Sequence, residues 1–225
     1  MNTTESLKYC YTNNIIVMPI DKKNVRNMEE KLDETSLNII VSFFPRAKGL
    51  TIKEIQKNSR YSYEPVYRKL NELVEKKLIT STKIGKTLVY SLNTENWYSK
   101  LAYYHYAAIR TRNFLKKYPK IQLGLEQLPQ DKLDLVIVFG SYSRGSQTEK
   151  SDIDLIIVTP YQKEVESAIQ HSKHMYALDF QEITMPRTEF AKIKNENKEL
   201  WNSLITDGII IKGADIFYEQ AYYGK

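Results

Sequence analysis

The chain has 225 residues, 42% apolar and 27% charged, with a formal net charge of +6. This allows one large domain or two small ones of ordinary soluble composition. It excludes a transmembrane helix, because no apolar run approaches about 18 residues. The N-terminal MNTTESLKYC lacks the basic-then-apolar layout of a signal peptide. A single cysteine, Cys10, excludes an internal disulfide and favours a reducing, cytoplasmic setting. With His105, His171 and His174 scattered, a structural zinc site is not expected.

The excess charge is concentrated. Residues 45–92 hold 11 Lys or Arg against 4 Glu, whereas residues 1–33 and 93–225 each balance. Such asymmetry suits a polyanionic partner, most often nucleic acid, although a solvated lysine-rich face has the same composition.

Residues 1–33 are weakly patterned: NNIIVMPI suggests a short edge strand and KKNVRNMEEKLDE a solvated helix or linker. SLNIIVSFF has helical spacing and ends near Pro45. TIKEIQKNS opens with Thr51 and Glu54, a capping-box pair. YEPVYRKLNELVEKKLI puts Val66, Leu70, Leu73 and Val74 on one helical face, with Pro65 in the first turn. STKIGKTLVYSL alternates around Gly85, as a hairpin does. Three helices and a hairpin in this order resemble the winged helix-turn-helix domains common in bacterial and archaeal regulators. The resemblance implies a third helix in the major groove and a hairpin on the phosphate backbone. Candidate DNA contacts are Tyr63, Tyr67, Arg68, Lys69, Lys83 and Lys86.

TENWYSKLAYYHYAAIRTRNFLKKY reads as one long helix with Trp97, Leu101, Tyr104, Ala108 and Leu115 at helical spacing, a stripe suited to core or to a homodimer contact. Pro119–Asp131, holding GLEQLPQD, is expected to be a boundary loop or short turn. Beyond it come a strand in LDLVIVF, a strand in LIIV closed by Pro160, a helix in EVESAIQHSKHM and a strand in ALDFQEITM. One terminal helix in TEFAKIKNENKELWNSLITDG and a strand in IIIKG complete the series. Strands and helices in this order indicate an α/β or α+β sheet domain.

Between the first two strands lies FGSYSRGSQTEKSDIDLIIV. Gly140-Ser141 and Gly145 form a turn where backbone amides approach a ligand closely, and clustered amides bind phosphate oxygens. Arg144 and Lys150 offer charge neutralisation. Strand alternation puts Asp152 and Asp154 on one face, about 6.6 Å apart along the backbone. A buried strand has no cheap place for two such acids unless a cation meets them. Magnesium, bound through few carboxylates and substrate phosphates, suits the pair.

Gly140, Ser141, a ten-residue gap and then Asp152 and Asp154 between apolar residues resemble the DNA polymerase beta-type nucleotidyltransferases. GSYSRG with SDIDL resembles the minimal group of that superfamily, over about residues 131–212. The resemblance implies transfer of a nucleoside monophosphate from an NTP, expected to be ATP, with two Mg2+ ions held by Asp152 and Asp154 and pyrophosphate released. It also implies a third carboxylate on a later strand. Asp179 and Glu182 are the candidates; their opposite parity lets at most one point inward, and the LDF context favours Asp179. The acceptor is open: a protein side chain, as in antitoxins that modify a partner toxin, an RNA end or a small molecule. The competing readings are a DNA-binding regulator whose second domain only senses nucleotide, and a structural interaction module.

The expected fold class is therefore α+β: a winged helix-turn-helix followed by a small mixed-sheet nucleotidyltransferase domain. Its expected parts are an N-terminal extension (1–33), the winged helix (34–92), a linker helix and boundary loop (93–130) and the transferase domain (131–225).

Overall fold

The computed structural model describes residues 11–12, 15–16 and 33–223. The helix expected in KKNVRNMEEKLDE, most of the NNIIVMPI strand and Cys10 lie outside the described residues. Within the remainder, β1 (Tyr11–Thr12) pairs antiparallel with β2 (Ile15–Ile16).

The first helical unit begins at α1 (Glu34–Val41), where the Asp33 side chain accepts from the Ser36 amide. A short β3 (Leu50–Thr51) leads into α2 (Ile52–Ser59), whose expected capping box is present: Thr51 and Glu54 satisfy each other's backbone amides. The third helix, α3 (Tyr63–Glu75), buries Val66, Leu70 and Leu73. Two strands follow, β4 (Ile79–Ile84) and β5 (Thr87–Leu92), joined by the Gly85-Lys86 turn. Gly85 has φ +59°, so the turn needs a residue that tolerates the left-handed region. β3 joins the hairpin in the order β3-β5-β4.

A 21-residue helix, α4 (Trp97–Lys117), runs on from there. Its buried face is not the expected stripe. Ser99, Ala102, Tyr103, Ala107 and Phe114 are buried, while Trp97, Leu101 and Ala108 are exposed. Ala102 and Ala107 are small enough for neighbouring elements to close over that face, which the larger residues of the expected stripe would hold apart. The segment expected to be a loop is mostly helical: α5 (Pro119–Glu126) has Pro119 at its start, where a missing amide is harmless, and a 3-10 turn covers Gln130–Lys132.

The second sheet is four-stranded, in the order β8-β7-β6-β9. β6 (Leu135–Val138) pairs antiparallel with β7 (Ile153–Val158) and with β9 (Ile209–Lys212), whereas β8 (Phe180–Met185) runs parallel to β7. The short α6 (Gly140–Arg144) follows β6, and α7 (Gln162–Tyr176) makes the crossover to β8. The expected single terminal helix is two, α8 (Arg187–Glu196) and α9 (Lys198–Asp207). Asn197 separates them because its extended backbone ends α8 and its side chain caps α9 by accepting from the Leu200 amide. After β9, α10 (Ala214–Tyr218) and a π turn (Glu219–Tyr223) complete the described chain. The whole is a mixed α and β fold with small sheets, and no described helix is long and apolar enough to cross a membrane.

One face of the larger sheet is continuous with the core of the first unit. Ile137, Ile156 and Val158 join Trp201, Phe217, Tyr103, Phe44 and Ile39 in one buried cluster. The joint is aromatic: Phe44 lies 5.2 Å from Tyr103 and 5.5 Å from Tyr222, ring centre to ring centre, and the Tyr222 hydroxyl donates to the Pro45 carbonyl. The opposite face packs Val138, Leu155 and Ile157 against Ile121, Leu125, Val165 and Ile169.

Asp33 ties α1 to α3, since Lys69 Nζ is 2.7 Å from its carboxylate. Burial opposes ionisation of Asp33, but the hydrogen bonds from Lys69 and Ser36 outweigh it and hold the pKa at about 2, below the ordinary 3.8. The stabilisation is then complete above the ordinary value and is lost as pH falls through about 2. Replacing Asp33 with Ala should cost about 1 kcal/mol at neutral pH, as lost N-caps do. In thermal melts the gap between wild type and variant should close towards the acid limit; a gap independent of pH would contradict the assignment.

Candidate functional site

β6 ends at Val138, and the next backbone amide, Phe139, donates to the Asp154 carbonyl across the sheet. This registers the glycine turn against the acidic end of β7. Gly140 has φ +70°, and a Cβ built on it would lie 1.8 Å from Asp154 Oδ2. The Asp154 carboxylate thus occupies the space a side chain at 140 would fill. Ser141 Oγ is buried there without a hydrogen-bond partner among the described residues.

Asp152 sits just before β7 and Asp154 within it; both are half-buried and neither has an ion pair among the described residues. Burial first, and the Asp152 charge next, push the Asp154 carboxyl above the ordinary carboxylate value, while Arg144 pulls the other way. Two adjacent acids whose charge lacks a full protein counterpart fit a bound divalent cation. No three His, Cys, Asp or Glu side chains among the described residues form a metal-binding group.

The two candidates for a third acid separate clearly. Glu182 is directed to the opposite face, where Lys173 Nζ is 2.8 Å away and Gln170 donates to it. It registers with buried Leu155, not with Asp154, so its role as the inward acid is ruled out by strand parity. Asp179 lies one residue before β8, exposed, with its carbonyl accepting from the Ile153 amide at 2.7 Å. Continuing the parallel register brings Asp179 beside Asp152. The position facing Asp154 is Gln181.

Arg144 and Lys150 are both exposed, Arg144 near enough to influence Asp154 and Lys150 on the loop before the acids. Sequence reasoning missed Gln181, which needs the strand register to be found. It also missed Lys117, the last residue of α4. Its Nζ would lie 3.6 Å from a Cβ on Gly145, so its charge sits at the glycine turn. Nothing in local spacing links positions 117 and 145; only the packing of α4 does.

In the first unit, Tyr63, Tyr67, Arg68, Lys83 and Lys86 are all exposed on α3 and the hairpin. Lys69 departs from expectation. Its ammonium is held inward, 2.7 Å from both Asp33 and Glu72, because the packing of α3 against the start of α1 turns it towards these acids.

Comparison with known proteins bears on the second unit. Residues 113–216 match the family Polymerase beta, Nucleotidyltransferase. A "Putative protein adenylyltransferase" of Methanocaldococcus jannaschii is 40% identical over 60 residues, which are 25% of this chain. The chain spans 60% of the length of that relative. A solved structure described as a toxin-antitoxin with AMP-PNP is 22% identical, covering 47% of this chain and 83% of its own, with a TM-score of 0.33. A mutant of the toxin-antitoxin MntA-HpeT is 20% identical, covering 46% and 81%, with a TM-score of 0.32.

The raised Asp154 pKa makes ionisation a cost to the fold: the penalty is complete above the folded pKa and absent below the ordinary carboxylate value. Asp154→Asn should therefore raise Tm at neutral pH, with the gain vanishing in acid. Added Mg2+ should raise the Tm of wild type but not of the variant. Equal melting at every pH, indifferent to Mg2+, would contradict the geometry. Gly140→Ala should destabilise by about 1–2 kcal/mol from the left-handed backbone alone, and it should abolish the Mg2+ response by displacing the Asp154 carboxylate.

Proposed function

We propose that the chain is a Mg2+-dependent nucleotidyltransferase that moves a nucleoside monophosphate from an NTP, ATP by preference, to a protein side chain. We propose also that residues 34–92 are a winged helix-turn-helix that binds duplex DNA. The observation that carries the first reading is the meeting of two acids without an ion pair among the described residues, Asp152 and Asp154, with the Gly140-Ser141 turn. The polymerase beta-type match over residues 113–216 supports the reaction class, and the adenylyltransferase relative supports ATP and a protein acceptor. An acceptor of that kind agrees with an antitoxin-like role, in which the modified protein is a separate chain. The lone Cys10 supports a cytoplasmic setting.

In this mechanism Gly140 leaves room for the Asp154 carboxylate beside the turn, and the buried Ser141 hydroxyl donates to a phosphate oxygen. Arg144, Lys117 and Lys150 offset the remaining negative charge. Asp152 and Asp154 would hold divalent cations, which when bound neutralise the charge on the reacting phosphate and its leaving group. The acceptor oxygen attacks the α-phosphorus, the new O–P bond forms in line as the α–β bridging P–O bond breaks, and pyrophosphate departs. Asp179, on the Asp152 side of the sheet end, is assigned the acceptor proton.

A second reading, a DNA-binding regulator that only senses nucleotide, is favoured by one observation: Gln181, not an acid, faces Asp154 across the strands. Incubating the full chain with Mg2+ and labelled ATP, alone and in lysate, separates the two. Transfer of label to protein is expected, with a loss on the order of 100-fold for Asp154→Asn, as removal of transition-state electrostatics generally brings. No label on any acceptor, with nucleotide still bound by Asp154→Asn, would establish the sensor instead. The DNA reading is checked by salt: affinity for duplex DNA should fall steeply as salt rises, because phosphate contacts release counterions. A flat response rejects it.

A further inference from the structure

The larger sheet has two edges, and the chain treats them differently. β9 forms one. Its pairing with β6 is bulged between Val136 and Ile137, and α4 packs along it. Side chains of α4 also take carbonyls at and just before the strand: Thr111 donates to Ile210 at 2.7 Å and Arg110 to Asp207 at 2.8 Å. Bulges and covering elements of this kind are how folds stop an edge from pairing with another chain.

β8 forms the other edge and lacks these devices among the described residues. Its sequence FQEITM holds no proline and no lysine, and its pairing with β7 runs without a bulge. The Ile153 amide donates to the Asp179 carbonyl and the Thr159 amide to the Met185 carbonyl, so residues 179, 181, 183 and 185 turn their backbone groups towards β7. Alternation then turns Phe180, Glu182 and Thr184 outward. Gln162 donates to the Thr184 carbonyl. The amides of Phe180, Glu182 and Thr184 and the carbonyls of Phe180 and Glu182 have no partner among the described residues. Charge does not guard the edge either, because the Glu182 carboxylate is held by Lys173 on the opposite face.

This open edge borders the acids. Gln181 registers with Asp154 and Ile183 with Ile156, so both stand on the Asp154 face, where Ile183 is 46% exposed. A row of outward amides and carbonyls at two-residue intervals is complemented by the backbone of an extended chain. We infer that the acceptor protein is bound through an extended segment that adds as a fifth strand to β8, with an apolar side chain against Ile183 and the acceptor side chain on the Asp154 face. The inference deepens the transferase reading above and rests on its protein acceptor. Strand spacing puts the added backbone roughly 9–10 Å from β7, so the acceptor side chain reaches the acids across Gln181. An edge reads backbone, so acceptors are selected by an accessible, extendable segment rather than by a folded surface.

The test uses the full chain with Mg2+ and labelled ATP, and lysate as the source of acceptor. Glu182→Pro deletes an outward amide and leaves the ladder to β7 intact. Glu182→Ala loses the same Lys173 contact but keeps the amide. Transfer to protein should be about tenfold lower in Glu182→Pro than in Glu182→Ala, as loss of edge hydrogen bonds brings. Both should bind a non-hydrolysable ATP analogue with Mg2+ equally. Ile183→Lys, an exposed change that discourages edge pairing, should lower transfer similarly, and it decides the matter if the proline variant does not fold. A peptide of about ten residues spanning the labelled side chain, mapped by mass spectrometry, should itself accept label from wild type. Transfer undiminished in Glu182→Pro and Ile183→Lys, or confined to the folded acceptor, overturns the added strand while the transferase stands. A wild-type homodimer that dissociates in Glu182→Pro assigns the edge to a second copy and also overturns it. No transfer by wild type removes the transferase reading, and the acceptor strand with it.

Discussion

The second unit is organised around the approach of the Asp154 carboxylate to the α-carbon of Gly140. A carboxylate oxygen stands where the first carbon of any side chain at 140 would be. Closeness of that kind is obtained only by pairing a residue without Cβ, at positive φ, with a strand whose register is held on both sides. β6 and β9 on one flank and β8 on the other provide that register, and the Phe139 amide to Asp154 carbonyl bond locks the last step. The arrangement carries an electrostatic cost. The Asp154 carboxyl is pushed up by burial and by Asp152, and among the described residues neither acid has an ion pair. Such electrostatic strain is the ground on which a cation is proposed.

The basic unit and the sheet unit are not beads on a string. α4 passes from the hairpin to the glycine turn, burying Tyr103 against Phe44 near one end and bringing Lys117 to Gly145 at the other. The π turn returns to the first unit through Tyr222. Burial of large side chains such as these is worth about 1.5–3 kcal/mol each, so the aromatic joint holds the two units in one geometry. Tyr103 of α4 is used within the chain.

Where local chemistry decides, the fold was legible in the sequence. Thr51 and Glu54 announced a capping box, Gly85 a hairpin turn, and the spacing of Val66, Leu70 and Leu73 the buried face of α3. The acids and the glycine turn were picked out together in the sequence, and the fold brings Asp154 against Gly140. Five features were not legible. The buried face of α4 is set by what packs on it, which helical spacing alone does not show. Asn197 can sit within a helix or break one, and only its capping bond to Leu200 shows which. Lys69 reads as a phosphate contact until Asp33 and Glu72 are placed beside it. Gln181 and Lys117 depend on register and on distant packing, which a single sequence does not encode locally.

Calorimetric titration of a non-hydrolysable ATP analogue, with Mg2+ and with chelator, tests the central claim most directly. The account expects wild type to bind only when Mg2+ is present, and Asp152→Asn/Asp154→Asn to lose at least about tenfold in affinity, since the removed carboxylates are what the metal bridges to the phosphates. Equal binding with chelator, unchanged in the double variant, would show that the acids beside Gly140 do not hold a metal-bound triphosphate.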